Sequence, residues 1–133
     1  MRKRELTVDR HLVKTDLAPA AIGPYSQGVI AGNTLYCSGQ IPIDPKTGRM
    51  VTESIEEETE RVLLNLEGVL TAAGMSLSNV VSCRVYMTDI NDYAQINEVY
   101  GRFFGANAPA REAVQVCALP REARVEISAV AVR

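Results

Sequence analysis

The sequence predicts an α+β domain, a two-layer sandwich in which a mixed β-sheet carries two helices on one face. Two observations lead there. Strand-like and helix-like patterns are interspersed along the chain, in the order β-hairpin, a short strand, helix, strand, helix, strand, strand. Hairpin links are present, which a purely parallel sheet would lack. Size and composition are consistent with this. The chain has 133 residues, 47% hydrophobic and 23% charged, enough for one globular core without disulfide or metal staples.

The hairpin spans residues 27–38. Val29, Ile30, Leu35 and Tyr36 flank Gly32-Asn33, a two-residue turn of the primed type. Asp44-Pro45-Lys46-Thr47-Gly48 is a turn in which Pro sets the first corner and Gly accepts positive φ. A helix is expected over residues 54–73. Ser54 and Glu57 form a capping-box pattern. Ile55, Thr59, Val62, Leu63, Leu66, Val69, Leu70 and Ala73 recur as one stripe, and Gly74 marks the stop. Residues 80–88 alternate loosely as a strand with Val81, Cys83, Val85 and Met87 on one face.

A second helix is expected from about Asn91-Asp92, burying Tyr93, Ile96, Val99, Tyr100 and Phe103, and broken by Gly105 to Pro109. Strands over 111–118 and 123–132 close the chain, separated by Leu119-Pro120-Arg121-Glu122. In the last strand Val125, Ile127, Ala129 and Ala131 share one face, and Glu126, Ser128, Val130 and Val132 the other. Both faces carry small and β-branched residues. Helices on one side only would leave the other face wet, so self-association through that open face is expected. Residues 1–14 read as an N-terminal extension, with Arg2–Arg4 a solvated tail, and 15–133 as a single domain.

The inventory excludes several function classes. One His (His11) rules out a His-rich metal centre and leaves no triad in view. Cys37, Cys83 and Cys117 are widely spaced and odd in number, which reads as reduced thiols of a cytoplasmic protein, packed as small core hydrophobes. A formal net charge of −2 argues against a nucleic-acid partner. No apolar run approaches a membrane span, and the basic start is followed by no signal-peptide core.

Five places carry candidate chemistry. Arg111 follows Pro109-Ala110 at the mouth of an otherwise apolar strand. A guanidinium there suits a bidentate carboxylate clamp, but a surface arginine or an intersubunit ion pair fits the spacing better. Glu126, between Val125 and Ile127, is either a solvent-facing residue, as alternation favours, or a half-buried carboxyl with a raised pKa. Ser38-Gly39-Gln40 is a strand-end turn, or a place where backbone N–H groups and the Ser38 hydroxyl meet an anion. Tyr25 either plugs a core edge or walls a pocket, and Asn97 is a solvated helical residue or a site residue.

Taken in order, these segments resemble the reactive-intermediate deaminase (Rid, YjgF-like) family. The resemblance rests on Ala18-Pro19-Ala20-Ala21-Ile22-Gly23-Pro24-Tyr25-Ser26-Gln27 and on Cys37-Ser38-Gly39-Gln40-Ile41-Pro42 with its Asp-Pro-Lys-Thr-Gly turn. It continues through Asp89-Ile90-Asn91-Asp92-Tyr93, Asn97, Tyr100, Phe103-Phe104, Pro109-Ala110-Arg111, Leu119-Pro120 and Val125-Glu126-Ile127. It implies a chorismate-mutase-like fold, a homotrimer with sites in the clefts between subunits, and no cofactor or metal. The implied activity is hydrolysis of 2-imino acids, such as 2-iminobutanoate and 2-iminopropanoate, and their enamine tautomers to 2-oxo acids and ammonia.

By the same resemblance, Arg111 holds the substrate carboxylate, and Tyr25, Ser38, Gly39 and Asn97 line or shape the pocket. Glu126 positions water or shuttles a proton. The chain departs from the family pattern at Glu112, at Ala113 (where a pocket Cys often stands), at Ala108 and in a short Phe104–Pro109 link. Two other expectations stand beside this one: a trimeric carboxylate-binding or regulatory protein without turnover, and, least favoured by the charge balance, an endoribonuclease or translation inhibitor.

Overall fold

The computed structural model describes residues 8–133. Six strands form one sheet: β1 (Arg10–Val13), β2 (Gly28–Ala31), β3 (Thr34–Gln40), β4 (Val80–Met87), β5 (Ala110–Gln115) and β6 (Val125–Val132). Their order is β1-β2-β3-β6-β4-β5, with only β4 and β5 parallel. Helices α1 (Ile55–Ala72) and α2 (Tyr93–Phe104) contribute to a common core with the sheet's buried side. The expected α+β sandwich on a mixed sheet is therefore found.

Local signals account for most boundaries. Ala31 pairs with Thr34 around Gly32, whose φ of 61° is left-handed and free of cost without a Cβ. The Ser54 hydroxyl accepts the Glu57 N–H at 3.1 Å and caps α1, a contact worth about 1 kcal/mol. The whole predicted α1 stripe is buried, from Ile55 to Ala73. Val125, Ile127, Ala129 and Ala131 of β6 are all 2% exposed or less, in line with strand parity.

Several expectations need correction. Strand β1 lies within the N-terminal extension and completes the sheet edge by pairing with β2; the Arg2–Arg4 cluster lies outside the described residues. In β4 a register shift between Val80 and Ser82 turns Val80 into the core and Val81 out. Strand β5 ends at Gln115, and β6 begins at Val125 because Pro120–Glu122 form a 3₁₀ turn. Tyr93 is 40% exposed rather than buried. Cys37 and Cys83 are core residues, but Cys117 is exposed. Burial pushes the Cys37 thiol up to about 12 and the Cys83 thiol in the same direction, so both behave as packing groups.

The opposite sheet face has no helices. Leu12, Val29, Tyr36 and Val130 line up across four strands there, with Val132 two residues beyond Val130, and Val114 is on the same face in the row of Tyr86 and Glu126. Leu12, Tyr36, Val114 and Val132 are each at least 40% exposed. No helix among the described residues is long and apolar enough to cross a membrane.

Two buried polar residues fix the loops that border the open end of the sheet. Asn65, fully buried on α1, donates to the carbonyls of Ile41 and Ile43 at 3.2 and 2.9 Å and accepts from Arg61 Nε at 3.1 Å. Glu58, also buried on α1, accepts from Arg124 through both the backbone N–H and the guanidinium. An unpaired carboxylate at that depth would cost several kcal/mol, so the pair fastens the start of β6 to α1.

Candidate functional site

Tyr25, Ser38, Gly39 and Glu126 meet at one cavity of about 330 Å³. The rest of its wall is largely apolar, from Pro19, Ile22, Ile41, Ile43 and Pro120. The geometry begins with a bulge in β3. Cys37 pairs with Ala129 and Gln40 with Ile127, so Ser38 and Gly39 fall outside the regular ladder. A Cβ on Gly39 would stand 2.5 Å from Glu126 Oε2, so glycine is what lets the carboxyl lie against this backbone.

Ser38 is committed internally. Its hydroxyl donates to the Ser26 carbonyl at 2.5 Å, and its backbone N–H donates to the Gln27 carbonyl at 3.0 Å. Its side-chain oxygen keeps lone pairs for a ligand or water but no proton. Of the two alternatives for Ser38-Gly39-Gln40, a Ser38 hydroxyl that donates to an anion does not fit this bonding, in which the oxygen is left only to accept. Glu126 is partly buried among the cavity walls, and desolvation holds its carboxyl above the usual carboxylate range. The half-buried reading of Glu126 is the one the structure adopts.

The segment that brings in Pro19 and Tyr25 is fixed by Gln27, a residue sequence reasoning passed over. Its side-chain oxygen accepts from Thr15 N at 2.7 Å, and its amide donates to the carbonyls of Thr15, Ala18 and Pro19. The residue closes the Ala18–Gln27 segment that carries the family resemblance, but no periodicity marks it as a clamp, since its partners come from an irregular loop. The Tyr25 hydroxyl accepts the Ile22 N–H at 3.3 Å and leaves the ring on the cavity wall.

Arg111 and Asn97 form a second cluster. Arg111 Nη1 donates to Asn97 Oδ1 at 2.7 Å and Nη2 donates to the Tyr93 hydroxyl at 3.0 Å. The guanidinium carbon lies 4.8 Å from the Tyr100 ring centroid and 5.6 Å from that of Tyr93, within cation–π range. Among the described residues no carboxylate pairs with Arg111; the ion pair found there is Arg124 with Glu58. Arg111 is thus held by neutral groups and its charge is not cancelled.

The two clusters are on opposite faces. Arg111 is opposite Cys83, which belongs to the core, and it contacts α2. Glu126 alternates with the buried Val125 and Ile127 and is opposite Tyr86 on the uncovered face. Glu112, one residue from Arg111, is exposed and points away from it, as strand parity requires.

Comparison with known proteins gives a consistent set. The family model described as Endoribonuclease L-PSP matches residues 15–133. A RutC family protein of Pyrococcus horikoshii is 49% identical, with 92% of this chain and 97% of that one covered. The 2-iminobutanoate/2-iminopropanoate deaminase of Homo sapiens is 47% identical, over 93% of this chain and 90% of that one. Among solved structures, a Rid-family protein of Yersinia pestis superposes with a TM-score of 0.91 at 42% identity, covering 94% and 100% of the two chains. E. coli TdcF with bound serine gives a TM-score of 0.89 at 41% identity, covering 92% and 98%.

Proposed function

The chain belongs to the Rid (YjgF-like) family, and on that premise we propose that it is an imine deaminase. It hydrolyses reactive 2-imino acids and their enamine tautomers, 2-iminobutanoate and 2-iminopropanoate among them, to 2-oxo acids and ammonia without a cofactor. The observation that supports this most is the state of Arg111. A guanidinium clasped by an amide oxygen, a phenol oxygen and a tyrosine ring, with no carboxylate on it, is prepared for a carboxylate from outside.

The chemistry asks little beyond that. The C=N carbon of a 2-imino acid is already electrophilic, so orientation of the carboxylate and of one water supplies much of the rate. Glu126 takes a proton from the water as it adds to that carbon. It returns that proton to the nitrogen, giving the carbinolamine, then takes the hydroxyl proton and passes it to the same nitrogen, which leaves as ammonia while the C=O bond forms. For an enamine, the protonated carboxyl first gives its proton to the β-carbon. A carboxyl kept above the ordinary range by desolvation suits both roles.

Arg111 and Glu126 stand on opposite faces of one chain, so each site is composed from two subunits. The uncovered face, with its exposed Leu12, Tyr36, Val114 and Val132, is the surface on which three copies associate. One copy presents the cavity with Glu126, and its neighbour presents Arg111. The apolar walls and single carboxyl of that cavity are unfavourable for a polyanion, which argues against RNA cleavage.

The test is 2-oxobutanoate formation from 2-iminobutanoate generated in situ. Wild type is expected to accelerate it over buffer, and Arg111→Ala to lose most of that acceleration. Equal rates for wild type, variant and buffer would sink the reading. Saturable 2-oxo acid binding without acceleration would establish a binding protein instead.

A further inference from the structure

We propose that Tyr93 is a positioning residue for the carboxylate anchor and supplies a second hydrogen-bond donor to the same anion. This rests on the reading of Arg111 as the anchor. Helical periodicity places Tyr93 on the buried face of α2, yet its side chain is 40% exposed and its hydroxyl oxygen accepts from Arg111 Nη2 at 3.0 Å. A phenol has one hydrogen and two lone pairs. With a lone pair given to the guanidinium, the hydrogen remains, and no acceptor for it is present among the described residues. Beside a cation, the favoured acceptor for that hydrogen is the anion that the cation binds.

The neighbouring tyrosine shows the contrast. Tyr100 lies under the same guanidinium, at 4.8 Å, but its hydroxyl is buried against the Cys83 thiol without a hydrogen bond of normal geometry. Tyr100 therefore acts through its ring and Tyr93 through its oxygen. Asn97 and Tyr93 hold one terminal nitrogen each, which fixes the plane of the guanidinium. Its remaining N–H groups are then presented in a fixed fork.

Removal of each hydroxyl in turn separates these roles. Tyr93→Phe keeps the ring and the helix and deletes one charged-group hydrogen bond. It is expected to raise KM for 2-iminobutanoate, and Kd for the product 2-oxobutanoate, by roughly tenfold. The expected kcat stays within about twofold, because Arg111 still orients the carboxylate and the bond lost is made to ground state and transition state alike. Tyr100→Phe, which keeps the ring under the guanidinium, is expected to raise KM less than Tyr93→Phe does, and Tyr93→His, which restores a polar ring atom, to recover part of the loss. Wild-type turnover with unchanged KM and Kd in Tyr93→Phe would overturn the inference while leaving the deaminase reading intact. If wild type neither turned over the imine nor bound the 2-oxo acid, the deaminase reading itself would be lost, and this inference with it. Thermal unfolding of both variants near the wild-type midpoint is expected, which separates the effect from misfolding.

Discussion

Arg111 and Glu126 lie on opposite faces of a single β-sheet, the first under α2 and the second against Gly39 on the face without helices. Either residue alone has an unremarkable explanation: an arginine near a sheet edge, a glutamate on a strand's outer side. Their surroundings remove it. Arg111 is held by three neutral groups, and Glu126 is half-buried against largely apolar walls that oppose its ionisation. Both are kept in states that gain by meeting something from outside the chain.

The first prediction concerns pH. Burial raises the folded-state pKa of Glu126, so the fold favours its protonated form. The resulting stability is fully present below the unfolded carboxyl value, about 4.3. It is lost as pH rises through the higher folded value. Glu126→Gln removes this dependence. Urea unfolding over a pH series is expected to show the variant gaining on wild type as pH rises out of the acid range and holding a constant difference beyond it. In wild type the acidic limb of kcat/KM is expected above the ordinary carboxyl range.

Gly39→Ala tests the contact between the bulge and the carboxyl. The added methyl falls on the flexible end of the Glu126 side chain, so the carboxyl swings aside while the fold holds. Stability is expected to fall by less than about 1 kcal/mol. Activity is expected to fall by at least about tenfold, the loss of a positioned acid–base group. Steady-state kinetics with a thermal melt check both.

The turn before β6 offers a stabilising change. Arg121 and Glu122 have φ of 55° and 58°, both left-handed and neither glycine. The turn places Pro120 on the cavity wall and starts the segment that Glu58 anchors through Arg124. Glu122→Gly relieves strain of about 1–3 kcal/mol and adds roughly 0.5–1 kcal/mol of unfolded-chain entropy. A net gain of about 1 kcal/mol is expected in chemical denaturation. A loss would show that the left-handed turn is not strained.

Much of this architecture was legible in the residues. The α1 stripe, the Ser54 cap, the Gly32 turn and the alternation of β6 are local patterns, and the structure follows them. The parity that separates Arg111 from Glu112, and Glu126 from Val125, was legible too. What no local pattern contains is the pairing that relates one strand to another. The parallel β4–β5 ladder puts Arg111 on the helical side, and this is why the two candidate residues do not meet within a chain. Strand β1 was missed because only Val13 of its four residues is buried, so it has no alternation to read. Val81 and Tyr93 were misplaced for different reasons: a bulge inverts the parity at Val80, and helical periodicity counts a tyrosine as apolar without regard to its oxygen. The Gln27 and Asn65 clamps act on irregular loop carbonyls, which leave no pattern in the sequence.

Subunit complementation tests the central claim most directly. Arg111→Ala and Glu126→Gln, each expected to lose most activity alone, are unfolded together in equal amounts and refolded so that the proposed trimers contain both chains. If each site takes Arg111 from one subunit and Glu126 from its neighbour, random assembly gives about one site in four with both native residues. Deamination of 2-iminobutanoate should then recover to about a quarter of the wild-type rate. No activity above that of the separate variants, in mixed trimers shown by mass to contain both chains, would contradict a site shared between subunits.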